Sequence, residues 1–157
     1  MIFAHEWTKY KWSFFIKSKD ELHQKGLNYI KAIEQEGKMT VKAIRCDNAK
    51  ENVKLQEKLF ESGRKIKFEF TAPNTPQQNG IAERSLAFVA GRARVMQYGT
   101  MLDFFFWEPL WAEAFFMATK VSNILAIKFD NDEVSSSHRM LTDDEDPKWS
   151  RIMHEFG

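Results

Sequence analysis

The sequence predicts an α/β domain built in layers, with at least one crossover connection. Three observations predict it. Apolar spacing along the 157 residues switches between the period of two that strands use and the three-to-four spacing of helices. The segments that result run strand, strand, helix, strand, helix, strand, helix, helix. Apolar residues make up 43% of the chain, enough for one core at this length.

Residues 1–7 and 10–17 are rich in aromatics and read as two strands, with Thr8-Lys9 short enough for a hairpin turn. Ser18-Lys19-Asp20-Glu21 opens a helix whose stripe is Leu22, Tyr29, Ile30 and Ile33, and Gly37 ends it. Residues 41–46 form a short strand. Residues 51–62 form an amphipathic helix with Leu55, Leu59 and Phe60 inward and Gly63 as its stop. Ile66-Lys67-Phe68-Glu69-Phe70 alternates, so it is a strand with one wet face. Residues 71–80 hold two prolines, two asparagines and a glycine and read as a loop. Residues 81–98 are helical up to Gly99, and residues 107–127 form an apolar helix rich in Trp and Phe. The domain is expected to span residues 1–128, followed by an acidic, loosely ordered tail over 129–157.

Composition narrows the function classes. Mean hydropathy is −0.48, and no apolar run approaches the roughly 20 residues that span a bilayer, so no membrane partner is expected. Residues 1–6 lack the basic and apolar segments of a secretory signal. Cys46 is the single cysteine, which excludes an internal disulfide and a zinc site built on paired cysteines. His5, His23, His138 and His154 show no metal-ligand spacing. The net charge of +1 conceals an asymmetry: residues 1–98 carry 18 Lys/Arg against 11 Asp/Glu, and residues 99–157 carry 5 against 11. A basic front portion suits a polyanion such as nucleic acid, although on charge alone solvated helix faces are the favoured reading.

Two carboxylates stand out. Asp47 directly follows the strand ending at Cys46, and Glu83 lies in the first turn of the helix after the 71–80 loop, with 35 residues between them. Acids at strand ends and helix starts of an α/β sheet project toward one cleft edge, and hard dications take oxygen ligands of this kind. The plainer reading is a turn at Asp47-Asn48 and a glutamate favoured by a helix N-terminus.

The local sequence favours the metal reading. Pro73-Asn74-Thr75-Pro76-Gln77-Gln78-Asn79-Gly80-Ile81-Ala82-Glu83-Arg84 resembles the P-x-T-P-Q-Q-N-G-x-A-E-R signature of integrases from copia-type LTR retrotransposons, members of the retroviral integrase superfamily. Arg45-Cys46-Asp47-Asn48 resembles that family's R-S-D-N, and the 35-residue gap is its spacing. Phe15 to Glu21 resembles F-L-K-S-K-D-E, Trp111 to Ala114 resembles W-A-E-A, and Asn123 stands where the family has an asparagine late in that helix. The resemblance covers roughly residues 3–125, and the tail more weakly.

The resemblance implies a ribonuclease-H-like mixed sheet flanked by helices, and polynucleotidyl transfer by a two-metal D-D-E site. Asp47 and Glu83 would be the second and third acids, catalytic and metal-binding, with Mg²⁺ or Mn²⁺ as cofactor. Gln78, Asn79 and Gly80 would form the active-site loop, Gly80 as hinge. Arg84, Arg92 and Arg94 would bind DNA. The implied partners are DNA, both element ends and target, and further copies of the parent protein. The implied location is intracellular, and nuclear at integration. The zinc module of the parent polyprotein lies in another segment.

Departures from the pattern shape further expectations. Residues 3–12 match F-V-D-D-Y-S-R-Y-x-W with His5-Glu6 in place of two non-catalytic aspartates. The first catalytic aspartate, on the central strand, is therefore expected upstream of Met1, and Glu6 is not expected to replace it. The chain alone is then expected to be inactive, with a gap in its sheet or direct pairing of residues 1–7 with 41–46. Ala49-Lys50 replaces a Gly-Gly, and Ser85-Leu86-Ala87 replaces a polar, basic stretch. The alternative is a decayed or co-opted module that binds nucleic acid or oligomerises without catalysis. Trp107, Trp111, Phe115 and Phe116 read as core, or as an oligomer interface.

Overall fold

The computed structural model describes residues 1–19, 21–71, 76–99, 108–129 and 132–145. Within them the chain is α/β. Its elements are β1 (Ile2–Ala4), β2 (Lys11–Ser13), α1 (Glu21–Gly37), β3 (Ala43–Asp47), α2 (Lys50–Glu61), β4 (Lys67–Thr71), α3 (Pro76–Gly99), a 3-10 turn (Glu108–Leu110), α4 (Trp111–Ile124), β5 (Ala126–Lys128), β6 (Val134–Ser136) and α5 (Ser137–Thr142). They fall into two units: Met1 with Phe14–Gly80, and Ile2–Ser13 with Ile81–Gly157. Among the described residues no helix is long and apolar enough to cross a membrane.

The first unit follows from two amphipathic helices. Helix α1 buries Leu22, Gly26, Ile30, Ile33 and Gly37, one face at spacings of three and four, against α2, which buries Leu55 and Leu59. Phe60 was expected on the same face, but it is 74% exposed. It stands a full 100° round the helix from Leu59. Tyr29 also leaves the stripe and stacks on Phe14, with ring centroids 4.2 Å apart. At Gly26 the helices approach so closely that an added Cβ would overlap Leu55 Cδ1.

Helix α2 stops as predicted, and the mechanism is visible. Gly63 takes φ +78°, its N–H donates to Phe60 O (2.9 Å), and Arg64 N–H donates to Leu59 O (3.0 Å). That reversal carries Arg64 back to α1, where Nη1 donates to Glu34 Oε2 at 2.6 Å. Glu34 Oε1 also accepts the Val41 N–H (3.0 Å), so one carboxylate ties both connections. At the end of α1 the left-handed residue is Lys38 (φ 48°) rather than Gly37, whose missing Cβ leaves room for Met39.

Strands β3 and β4 pair in parallel from Ala43 opposite Lys67 to Asp47 opposite Thr71, with α2 as the crossover. Arg45 sits opposite Glu69 and pairs with it at 3.0 Å. Strands β1 and β2 form a separate antiparallel pair, Ile2 opposite Ser13 and Ala4 opposite Lys11. Among the described residues every sheet has two strands, so direct pairing of residues 1–7 with 41–46 does not occur. The opening strands are shorter than expected. His5 Nδ1 accepts the Thr8 N–H (3.2 Å) and Lys9 takes φ 58°, which spreads the turn over residues 5–10.

In the second unit Val89, Ala93 and Ala118 form a core cluster, with Ile2, Met96, Ala114 and Phe115 packed around it. Helix α4 lies against β2 through its C-terminal half. Asn123 is 2% exposed. Its Oδ1 accepts the Lys11 N–H (2.9 Å) and its Nδ2 donates to Lys11 O (2.8 Å), so the side chain acts as one more strand beside β2.

Four further expectations differ from what the described residues show. The 71–80 loop is shorter than expected: helix α3 starts at Pro76, and residues 72–75 lie outside the described residues. A proline at the first helical position has its φ preset and lacks only an N–H that would go unpaired anyway. Helix α4 ends at Ile124, and residues 126–128 turn into a strand. The stretch expected as a loose tail carries β6 and α5, capped by Ser136 Oγ accepting the Arg139 N–H (3.1 Å). Residues 146–157 lie outside the described residues. Of the four aromatics read as core, Phe115 is partly buried, Trp111 is 56% and Phe116 45% exposed, and Trp107 lies outside the described residues.

Candidate metal and nucleic-acid site

Asp47 is the last residue of β3, at the carboxyl end of the parallel pair. The strand stops there because Asn48-Ala49 turns the chain into α2, which starts at Lys50 without a side-chain cap. The carboxylate is exposed. Its Oδ1 accepts the Asn52 Nδ2 amide at 2.6 Å, and the same amide reaches Asp47 O at 3.2 Å. Asn52, in the first turn of α2, thus holds the acid in place and leaves Oδ2 open. Cys46 points to the other face of the strand. Burial, and then the Asp47 charge, push its thiol up to about 11, so it stays protonated and offers no thiolate.

Glu83 is exposed on α3, in the second unit, whereas Asp47 belongs to the first. Because α3 starts at Pro76, Glu83 is two turns into the helix rather than in its first turn. Gln78, Asn79 and Gly80, expected in a loop, lie within the helix span, Gly80 partly buried. The side chains of Gln78 and Asn79 lie outside the described residues. Gly80 is accommodated at the modest cost of a helical glycine.

The basic residues share α3. Arg84 and Arg94 are exposed, and Arg92 is half-buried with its guanidinium 4.4 Å from the Phe88 ring centroid. Lys11, from β2, lies 6.0 Å from the same centroid and donates to Lys9 O at 2.9 Å.

With these positions in place, the chain can be set beside known proteins. It is 28% identical over 142 residues to the "Retrovirus-related Pol polyprotein from transposon TNT 1-94" of Nicotiana tabacum. The chain is thus similar to part of a retrotransposon Pol polyprotein. The match covers 87% of this chain and 11% of that polyprotein, so the chain spans a small part of the relative it matches. No protein-family model matches the chain.

Carboxylate oxygen is the donor that a hard dication takes. Asp47 in the first unit and Glu83 in the second each expose a carboxylate of this kind. Among the described residues no group of three or more His, Cys, Asp or Glu gathers to hold a metal. Sequence reading missed Asn52, although an amide five residues past a strand-end acid, in the next helix's first turn, is a usable signal. It also missed Lys11 and Phe88. A lysine between the buried aromatics Tyr10 and Trp12 is the signal for the first; nothing local marks the second.

Proposed function

We propose that this chain is a segment of an integrase-type polynucleotidyl transferase with a ribonuclease-H-like fold, in which Asp47 and Glu83 supply two carboxylates of a D-D-E site. The observation that carries the reading is the position of Asp47. It ends a parallel strand, with its carboxylate held outside the sheet's carboxyl edge, where open α/β sheets bind ligands. The similarity to a retrotransposon Pol polyprotein supports it.

In this reading Asp47 and Glu83 hold Mg²⁺ or Mn²⁺. When bound, such ions stabilise the attacking and leaving oxygens of phosphodiester transfer. Asn52 keeps Asp47 oriented by its 2.6 Å hydrogen bond. Gln78, Asn79 and Gly80 border the reacting strand, and Arg84, Arg92 and Arg94 contact backbone phosphates. The partner is DNA, as element end and as target, and the reaction belongs in the nucleus.

The test is duplex oligonucleotide binding with and without Mn²⁺. Binding is expected to tighten with the ion, and Asp47→Asn and Glu83→Gln should each remove that gain while leaving ion-free binding intact. Metal-independent binding that neither substitution alters would overturn the reading in favour of a nucleic-acid-binding module without a D-D-E site. No binding to DNA at all would overturn both.

A further inference from the structure

One cluster in the second unit is not used by the carboxylate site. Phe88 is 49% exposed on α3, with Arg92 at 4.4 Å and Lys11 Nζ at 6.0 Å from its ring centroid. Lys11 is only 9% exposed, so its ammonium is positioned rather than free to swing. Two hydrogen bonds from Asn123 fix its backbone, and the bond to Lys9 O fixes its tip. Among the described residues neither Lys11 nor Arg92 makes an ion pair. Two cations beside one ring, without a carboxylate, repel each other. Burial and then the Arg92 charge accordingly lower the pKa of Lys11. An anion placed between them relieves that repulsion.

The aromatic ring narrows the choice of anion. A solvent-facing ring flanked by cations gains from a flat π-surface that comes with its own negative charge, which describes a nucleotide in a strand. A duplex presents its phosphates outermost and keeps its bases stacked inside, so it would satisfy the cations and leave the ring unused.

We propose that Lys11, Phe88 and Arg92 form a subsite for an unpaired nucleic-acid strand, the two cations taking a backbone phosphate and Phe88 taking the adjoining base. The subsite rests on the nucleic-acid reading above and specifies the strand form that reading leaves open.

The experiment is fluorescence anisotropy of a labelled single-stranded oligonucleotide and of its duplex on the full chain, across a salt series. Phe88→Leu should weaken single-strand binding by about 5-fold or more, the loss of one stacked base, while duplex binding stays within about twofold. Arg92→Gln should lower the single-strand salt slope by about 0.7, one phosphate contact. Both residues are at least partly exposed, and a thermal melt matching the wild type confirms that each variant is folded. Single-strand binding unchanged in both variants overturns the subsite and leaves the nucleic-acid reading standing. Failure of the wild type to bind either form overturns both. Inorganic phosphate that displaces the strand at equal concentration reduces the cluster to an isolated anion site and overturns the strand assignment.

Discussion

The two units bury different chemistry. Among the described residues the buried polar side chains are Thr8, Lys11, Ser85, Gln97, Thr119, Ser122, Asn123, Ser136 and Ser137 in the second unit, and Thr71 alone in the first. The first unit is two apolar helix faces against each other, with charges at the rim. The second closes three of its polar groups onto backbone: Asn123 onto Lys11, Ser122 onto Ala118 O (2.6 Å) and Thr119 onto Phe115 O (2.9 Å), while the buried Ser137 Oγ makes no hydrogen bond among the described residues. Apolar burial is non-directional and tolerates adjustment. Polar burial is directional, and losing one partner strands the other. The second unit should therefore be the more brittle to single substitutions, and the first should respond mainly to volume.

The largest effect is expected at Asn123. Truncation to Ala leaves the N–H and C=O of Lys11 buried without partners, at about 1–3 kcal/mol each, so Asn123→Ala should cost about 2–4 kcal/mol in urea denaturation of the full chain. A loss below about 1 kcal/mol would show that water replaces the clamp and that the contrast is wrong. Gly26→Ala is the counterpart in the first unit. The added methyl overlaps the 2% exposed Leu55, and overpacking of this kind costs about 1–3 kcal/mol. A compensating Leu55→Ala should recover part of that loss in a double-mutant cycle, because the clash is with that side chain.

Glu34 gives a smaller effect with a pH signature. Burial pushes its carboxyl up, but hydrogen bonds from Arg64 and the Val41 N–H, with the Arg64 charge, outweigh burial and hold it below the ordinary value. Its folded pKa is thus depressed. The stabilisation is complete above the unfolded value of about 4.3 and is lost as pH falls through the lower folded value. Glu34→Gln should cost about 1–2 kcal/mol at pH 7, and the gap from wild type should close on acidification through that window. A gap that stays constant from pH 7 to pH 3 would show that the ion pair is not its source.

What was legible in the sequence follows the same division. In the first unit, apolar spacing marked α1, α2 and the β3–β4 pair, and Gly63 marked the stop of α2, because volume and turn chemistry are local properties. Asp47 at the end of β3 was legible for that reason. Phe60 adjoins the apolar stripe in sequence without lying on it, a distinction that hydropathy does not carry. In the second unit the decisive partners are distant: Asn123 meets Lys11 across 112 residues. Neither the burial of Lys11 nor the structured 134–142 segment has a periodic signature. The start of α3 is hidden because two prolines, two asparagines and a glycine over 71–80 read as a loop, whereas Pro76 initiates the helix. Hydrophobicity alone points Trp111 and Phe116 inward, yet the residues that α4 buries are Ala118, Thr119, Val121, Ser122, Asn123 and Ile124, none of them aromatic.

The central claim is that Asp47 and Glu83 serve one metal site, and paramagnetic broadening by Mn²⁺ in amide NMR spectra of the full chain tests it most directly. The D-D-E reading predicts that amides around Asp47 and around Glu83 broaden at the same low Mn²⁺ concentrations. It also predicts that Asp47→Asn, at an exposed position, removes the broadening at both. Broadening at Asp47 alone, at Glu83 alone, or first at the exposed acids Asp143 to Glu145 would contradict it.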